Sequence, residues 1–439
     1  MRNLIGIRKE SKYPTERRAP FTPDQVKDLI RAYDINVIVQ SCDKRFFKNE
    51  EYERAGAIIS KDLSECNIIF GIKEIPVDDL TPNMPYCFFS HTIKGQSHNM
   101  AMLKKMMELK DTLIDYELVK DEKGKRMIFF GHYAGYAGMI DSLWALGQRL
   151  LWEGIDTPFG DIKQTNQYES LDAAKAAAKK AGTNIRNVGL PDKLVPFICG
   201  FTGYGQVSKG SQAIFDLLPV EAIHAKRFFD FINSGNFSNK TLYKAEFAKP
   251  DMFEDKTGGG FNLEEFKNHP DRYTSRMEKF IPHLTMFING IFWRPKNPRL
   301  LSKEFFKSLY KSNPKPRLRV IGDISCDVSG SIEITVKATN SRNPVFVYEP
   351  LTGRVVDGWE GNGPVILAVD KLPSEIPFEA SRDFGKALMP FIPELAKIDF
   401  SLSLAKLQMP RQFKSAVITH KGRLTPQYDH LKSHLDRSM

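Results

Sequence analysis

The sequence predicts an α/β protein built of two parallel-sheet domains. Three observations predict it. Short apolar runs alternate with helical runs through the first 110 or so residues, the pattern of a parallel sheet with crossover helices. A second strand, glycine turn and helix begin only near residue 194. At 439 residues the chain is longer than one hydrophobic core usually supports.

Residues 2–8 (RNLIGIR) read as the first strand, and the loop after them is rich in charge and proline. Thr22-Pro23-Asp24 opens a helix, with Pro in the first turn and Val26, Leu29 and Ile30 at helical spacing. Residues 36–40 (NVIVQ), 67–72 (NIIFGI) and 87–90 (CFFS) read as further strands, with a helix over 98–109. A strand pair is expected around Asp115, Glu117 and Arg126. MIFF at 127–130 precedes a stretch of small residues and a long apolar helix, which suits a crossing between domains. Residues 165–193 predict an alanine-rich surface helix, and 194–201 (LVPFICGF) a buried strand. Residues 234–282, polar and with three consecutive glycines, predict an insertion or mobile loop. Later strands are expected at 286–291 and 319–323, after which the chain leaves the second domain near residue 331. The expected division is 1–138 completed by 331–439, with the nucleotide domain at 139–330.

Composition excludes several classes. No stretch approaches the ~18–20 apolar residues of a membrane span, and MRNLIGIRKE lacks the hydrophobic region of a signal peptide. The five cysteines are scattered and without metal-ligand spacing, which predicts a reducing, cytoplasmic setting and no metal. The net charge of +10 comes without aromatic-interleaved basic runs, so nucleic acid is not the expected partner. Residues 406–437 hold seven Lys/Arg and two Asp/Glu, so half the excess lies in the tail.

The glycine loop fits G-x-G-x-x-S at Gly203, Gly205 and Ser208. Strand, tight turn and helix in that order present backbone N–H groups to a pyrophosphate. Gly203 allows the turn, Gly205 the close approach, and Ser208 is small enough for helix–strand packing. Gln206 and Val207 begin the helix. Residues 220–225 (VEAIHA) read as the next strand. A 2′-hydroxyl is usually held by an acid at the end of that strand; here His224, Lys226 and Arg227 stand there instead. That favours NADPH over NADH.

In the first domain charged clusters recur just after strands: Glu16-Arg17-Arg18, Lys73-Glu74, His91 with Lys94, and Glu117 with Arg126. Ligands bind beyond the carboxyl ends of such strands. Taken singly, each cluster is more often a solvated or packing group; their repetition at one end of one sheet points to a site for an anionic substrate.

The strings ERRAP, YERAGAII, GIKE, FFSHTIK, DYE, AGYAGMI, TGYGQVSKGSQAIF, HPDRY, INGIFW and GDISCDVSGSIE cover almost the whole chain. With them the chain resembles the lysine–2-oxoglutarate reductase domain of aminoadipic semialdehyde synthase and its relative, lysine-forming saccharopine dehydrogenase. The first domain is similar to the N-terminal domain of alanine dehydrogenase and transhydrogenase. The resemblance implies two Rossmann-like domains with an active site in the cleft between them. It implies acid–base roles for Lys73 and His91, with Glu16 tuning Lys73. Arg18, Lys94 and Arg126 match substrate-binding cations, Glu117 an active-site acid, and Asp323 or Asp327 a group near the nicotinamide ribose. The polar segment 234–282 and the glycine-loop spacing favour the reductase branch. The sequence ends with no room for a following saccharopine-cleaving domain, so a stand-alone reductase is expected.

The implied reaction joins L-lysine to 2-oxoglutarate and reduces the imine with NADPH to saccharopine, in the NADP-dependent, lysine-forming class of saccharopine dehydrogenases. The lysine ε-amine has a free pKa of ~10.4 and must lose a proton to attack. Lys73, with a pKa lowered by burial or nearby cations, is a candidate base, although Glu16 pushes it the other way. His91, near ~6.5 when unperturbed, suits the proton transfer that releases water. Competing readings are an NAD-dependent saccharopine or alanine-type dehydrogenase and a non-catalytic nucleotide-binding module. Expected partners are the three small molecules, not membrane; a homo-oligomer stays open.

Overall fold

The computed structural model describes residues 3–436; Arg2, expected to open the first strand, and Arg437 of the basic tail lie outside them. The chain forms two compact units, Met1–Phe130 with Pro377–Met439, and Gly131–Ile376.

In the first unit the strands are β1 (Leu4–Ile7), β2 (Asn36–Gln40), β3 (Ile58–Ser60), β4 (Ile68–Phe70), β5 (Pro85–Phe88) and β6 (Thr112–Asp115). In the second they are β7 (Phe197–Thr202), β8 (Val220–His224), β9 (Leu242–Phe247), β10 (Phe253–Asp255), β11 (Tyr273–Ser275), β12 (Met286–Asn289), β13 (Val320–Asp323), β14 (Val345–Tyr348), β15 (Val355–Asp357) and β16 (Val365–Leu367). The chain then returns to the first unit with β17 (Val417–His420) and β18 (Arg423–Leu424).

The first sheet has the order β18-β17-β6-β5-β4-β1-β2-β3, with β1 to β6 parallel and β17 and β18 antiparallel. Its central strands β1, β4 and β5 are buried along their whole length, which is why they read as unbroken apolar runs. The helix Pro23–Tyr33 starts where expected. Thr22 and Gln25 form a reciprocal capping box, and Pro23 fills the first turn. β3 was not anticipated; at three residues it is too short to leave a periodic signal.

The second sheet has the order β15-β14-β16-β13-β12-β7-β9-β8. Two expectations are corrected here. The boundaries move from 138 and 331 to 130 and 377. The helix Gly131–Trp152 belongs wholly to the second unit, and β14 to β16 join the second sheet rather than the first. The expected insertion begins too early, because residues 242–247 are β9, paired on both sides with β7 and β8. Beyond β9 the segment carries the two-stranded β10–β11 sheet and the short helix Leu263–Asn268.

The small residues at 131–138 serve packing inside the second unit. A Cβ on Gly135 would lie 2.1 Å from the Val207 carbonyl oxygen, and one on Gly210 2.3 Å from that of His132. The helices Gly131–Trp152 and Gln206–Phe215 therefore touch backbone to backbone, which any larger side chain would prevent.

Asp111, fully buried before β6, accepts the Met84 N–H at 2.9 Å, and its other carboxylate oxygen has no partner. Burial pushes its pKa up to about 7 against the opposing bond from Met84. The folded protein thus keeps this proton while the unfolded chain releases it near the usual 3.8. The contribution of Asp111 to stability is therefore greatest in acid and declines as pH rises from about 4 to 7. Urea midpoints across that range should fall less steeply for Asp111→Asn than for wild type; parallel curves would contradict this.

Candidate active site

Four loops of the first unit follow the carboxyl ends of its parallel strands, where amide groups lose their ladder partners. Buried carboxylates take over. Glu10, after β1, accepts the N–H of Ile72 at 2.7 Å and of Lys73 at 3.0 Å. It is fully desolvated, which raises its pKa although Arg8 pulls the other way. Asp115, at the end of β6, accepts the N–H of Ser90 at 3.2 Å and of Glu117 at 2.8 Å, and also the Ser90 hydroxyl. Burial lifts its pKa to about 6 despite these bonds.

Lys73 lies in the loop after β4, fastened at its own N–H by Glu10. Glu16 is near enough for the Lys73 charge to act on it. Burial pushes Glu16 up, but the charge and hydrogen bonds of Arg18 outweigh it and keep the carboxyl below its ordinary range. The Arg18 Nε and Nη2 reach the two Glu16 oxygens at 2.7 and 2.6 Å, and its guanidinium lies 4.1 Å from the Phe130 ring centroid. Both partners are buried.

His91 follows β5 with φ of +48°, a left-handed conformation uncommon outside glycine. Its Nδ1 lies 2.7 Å from Glu74 Oε1. A carboxylate can only accept, so Nδ1–H donates and Nε2 lies outside that bond. Burial works against ionised Glu74, but the His91 hydrogen bond and charge overcome it, and Lys12 at 3.5 Å adds to them, bringing the Glu74 pKa down to about 2. Asn99 ties the group together. Its amide nitrogen donates to the His91 carbonyl at 3.2 Å, and its oxygen accepts from Lys12 at 3.2 Å.

Lys94 is exposed, its N–H bonded to Gln96 Oε1. Arg126 is 44% exposed and pairs with Glu117 at 2.5 Å. Sequence reasoning placed Glu74 in a charged cluster beside Lys73 but gave it no role, and it passed over Glu10, Lys12 and Asn99, single polar residues that nothing local marks.

In the second unit the glycine loop joins β7 to the helix Gln206–Phe215. Gly203 has φ of +82°, and a Cβ on Gly205 would meet nothing within 4 Å, so open space lies beside the turn. Gln206, Val207 and Ser208 form the first turn, whose N–H groups have no partner within the helix. Ser208 is buried against Gly290 after β12, where a Cβ would crowd the Ser208 nitrogen at 3.2 Å. An open cradle of backbone donors at a helix N-terminus fits a dinucleotide pyrophosphate. Lys226 and Arg227 lie on a short turn after β8. Asp323 is fully buried and its carboxylate accepts from Asn289, Ser325 and Thr335, so it organises the ends of β12 and β13 from within. Asp327 lies in the following turn, half-buried. Among the described residues no group of His, Cys, Asp or Glu is arranged to hold a metal, and no helix is long and apolar enough to cross a membrane.

One α/β unit thus carries a glycine-loop cradle, and the other a cluster of carboxylates and cations at its strand ends. Residues 6–137 match the family "Alanine dehydrogenase/PNT, N-terminal domain". The fold is similar to that of an L-alanine dehydrogenase (TM-score 0.61, 16% identity, covering 98% of this chain and 99% of that one). It is similar too to that of a transhydrogenase from Sinorhizobium meliloti (TM-score 0.58, 16% identity, covering 96% and 100%). In sequence the chain is similar to alpha-aminoadipic semialdehyde synthase. It is 34% identical to the mitochondrial protein of Rattus norvegicus over 98% of this chain and 47% of the relative, and 36% identical to that of Arabidopsis thaliana over 98% and 41%. It thus spans about half the length of these relatives. Saccharopine dehydrogenase [NAD(+), L-lysine-forming] of Candida albicans is 29% identical over 91% of this chain and 93% of its own.

The two arginines of the cluster should separate on substitution. Arg18→Ala strands the buried Glu16 carboxylate and should cost about 3–5 kcal/mol of stability. Arg126→Ala breaks an exposed pair and should cost less than about 1 kcal/mol. Chemical denaturation checks both; equal losses would contradict the assignment.

Proposed function

We propose that the protein is an oxidoreductase of lysine degradation that joins the ε-amine of L-lysine to 2-oxoglutarate and reduces the resulting imine to saccharopine. The observation that carries this reading is the pairing of Lys73 and His91 at adjacent strand ends, each fixed by a buried carboxylate, in a chain related to aminoadipic semialdehyde synthases and saccharopine dehydrogenases.

The chemistry divides as follows. Lys73, in its neutral amine form, accepts the proton that the substrate amine loses before attack on the ketone. His91, with Nδ1–H held by Glu74, gives a proton to the departing hydroxyl from Nε2 when both ring nitrogens carry protons, so that water leaves. The nicotinamide cofactor supplies the hydride. Lys94 and Arg126 meet the substrate carboxylates from exposed positions, with Glu117 holding Arg126. Arg18 adds positive potential from beneath, and its pairing with Glu16 keeps that acid ionised near Lys73. The three carboxylates of the two substrates account for this concentration of cations.

For the cofactor we propose NADPH. His224, Lys226 and Arg227 succeed one another at the end of β8, and the Glu246 carboxylate beside them has Lys244 3.6 Å away. Gly203, Gly205, Gln206, Val207 and Ser208 take the pyrophosphate, and Asp323 and Asp327 shape the ribose end of β13. A cytoplasmic, reducing setting accords with five free cysteines.

Absorbance at 340 nm tests the reading. NADPH should be consumed only when lysine and 2-oxoglutarate are both present; consumption with pyruvate and ammonia instead would support an alanine-type activity and overturn it. Lys73→Met and His91→Gln should each lower kcat by ~10²–10⁴-fold while cofactor affinity holds; a variant with wild-type kcat removes that residue from the mechanism.

A further inference from the structure

Chain order and spatial order differ beyond the glycine loop. β8 follows the loop helix in sequence, yet it forms the edge of the sheet, and β9 lies between it and β7. In parallel α/β sheets the ribose next to the pyrophosphate is met at the carboxyl end of the strand beside the glycine-loop strand. Here that strand is β9. Its residue Glu246 stands in register with Phe201 of β7 on one side and His224 of β8 on the other. The acid missing from the end of β8 is therefore present in the same sheet, one strand nearer the loop.

A cavity of 420 Å³ opens at these strand ends. Its wall includes Gly203 and Tyr204 of the loop, His224, Lys244, Glu246 and Asp251. Along β8 the wall stops at Ala225, short of Lys226 and Arg227. Asp251 is engaged at the head of a short helix, accepting the Ala248 N–H at 2.9 Å. His224 Nδ1 accepts the Lys226 N–H at 3.2 Å. Glu246 is 54% exposed toward solvent, whereas the Lys244 side chain is only 11% exposed. The Lys244 ammonium lies 2.7 Å from Asp216, at the end of the loop helix, and 3.6 Å from Glu246.

We propose that Glu246 is the residue that discriminates a ribose 2′-hydroxyl from a 2′-phosphate, and that Lys244 sets its strength. A carboxylate at this place accepts from a hydroxyl and repels a phosphate. The buried ammonium behind it draws down its negative potential and, shared with Asp216, couples the discriminating acid to the helix that carries the pyrophosphate cradle. On the proposed use of NADPH, the arrangement accounts for an acid in the ribose position of a chain that takes a 2′-phosphate. Lys226 and Arg227, outside the cavity wall, act at longer range. The inference rests on the dinucleotide reading of the glycine loop.

Calorimetric titration of the full chain with adenosine 2′,5′-bisphosphate and with 5′-AMP separates the two. Glu246→Gln should raise the affinity ratio in favour of the 2′-phosphate by about tenfold to a hundredfold, the size of one charge-assisted contact. Lys244→Met should move the ratio the other way, and Lys226→Ala with Arg227→Ala should move it less than Glu246→Gln does. An unchanged ratio in Glu246→Gln, or a larger shift in the double variant, would overturn the inference. Failure of wild type to bind either probe would instead overturn the dinucleotide reading beneath it. Glu246 is half-exposed on the strand end, so its variant keeps the test available if loss of the buried Lys244 unfolds the chain.

Discussion

Parallel strands that end together leave a row of backbone N–H groups with no ladder to join, and the first unit depends on how these are met. Buried carboxylates meet them. Glu10 binds the amides of Ile72 and Lys73, Asp115 those of Ser90 and Glu117, and Glu16 that of Arg18. A buried anion is costly unless hydrogen-bonded and paired. Each therefore fixes the loop it caps and calls for a donor or cation nearby. The same groups that satisfy the fold thus concentrate charge where a ligand of a parallel sheet binds.

This arrangement explains why Lys73 and His91 differ in character from the side chains around them. Lys73 and His91 are only part-buried, while Glu10, Glu16, Glu74 and Asp115 beneath them are sealed from water. The acids hold positions and set the local potential. Preorganised charge of this kind costs nothing to rearrange during a reaction. The left-handed backbone at His91 is one consequence. The Glu74–Asn99 contacts hold the residue on both its ring and its carbonyl, which sustains a conformation the residue would not choose alone.

Much of this was legible in the sequence. The first-unit strands β1, β2, β4 and β5 announced themselves as apolar runs, and the helix at Pro23 by its cap. The glycine loop was marked by its position between strand and helix. β9 was not legible, because Lys244 and Glu246 make a central strand look like a polar loop. Their charges are accommodated by each other and by Asp216, a partner 28 residues from Lys244. The second boundary was missed for a different reason. β14 and β16 are plainly apolar, but composition cannot say which sheet an apolar strand joins. Glu10 and Asn99 escaped because their roles arise from loops brought together by the sheet.

The central claim is that the hydride and the lysine nitrogen end on the same carbon. NADPH deuterated at the transferable position, together with lysine labelled with ¹⁵N at the ε-amine, tests it by mass spectrometry of the product. The account predicts one product, of the mass of saccharopine, with deuterium on the carbon that was the ketone of 2-oxoglutarate and ¹⁵N bonded to that carbon. Deuterium appearing in a product without the lysine label would contradict it.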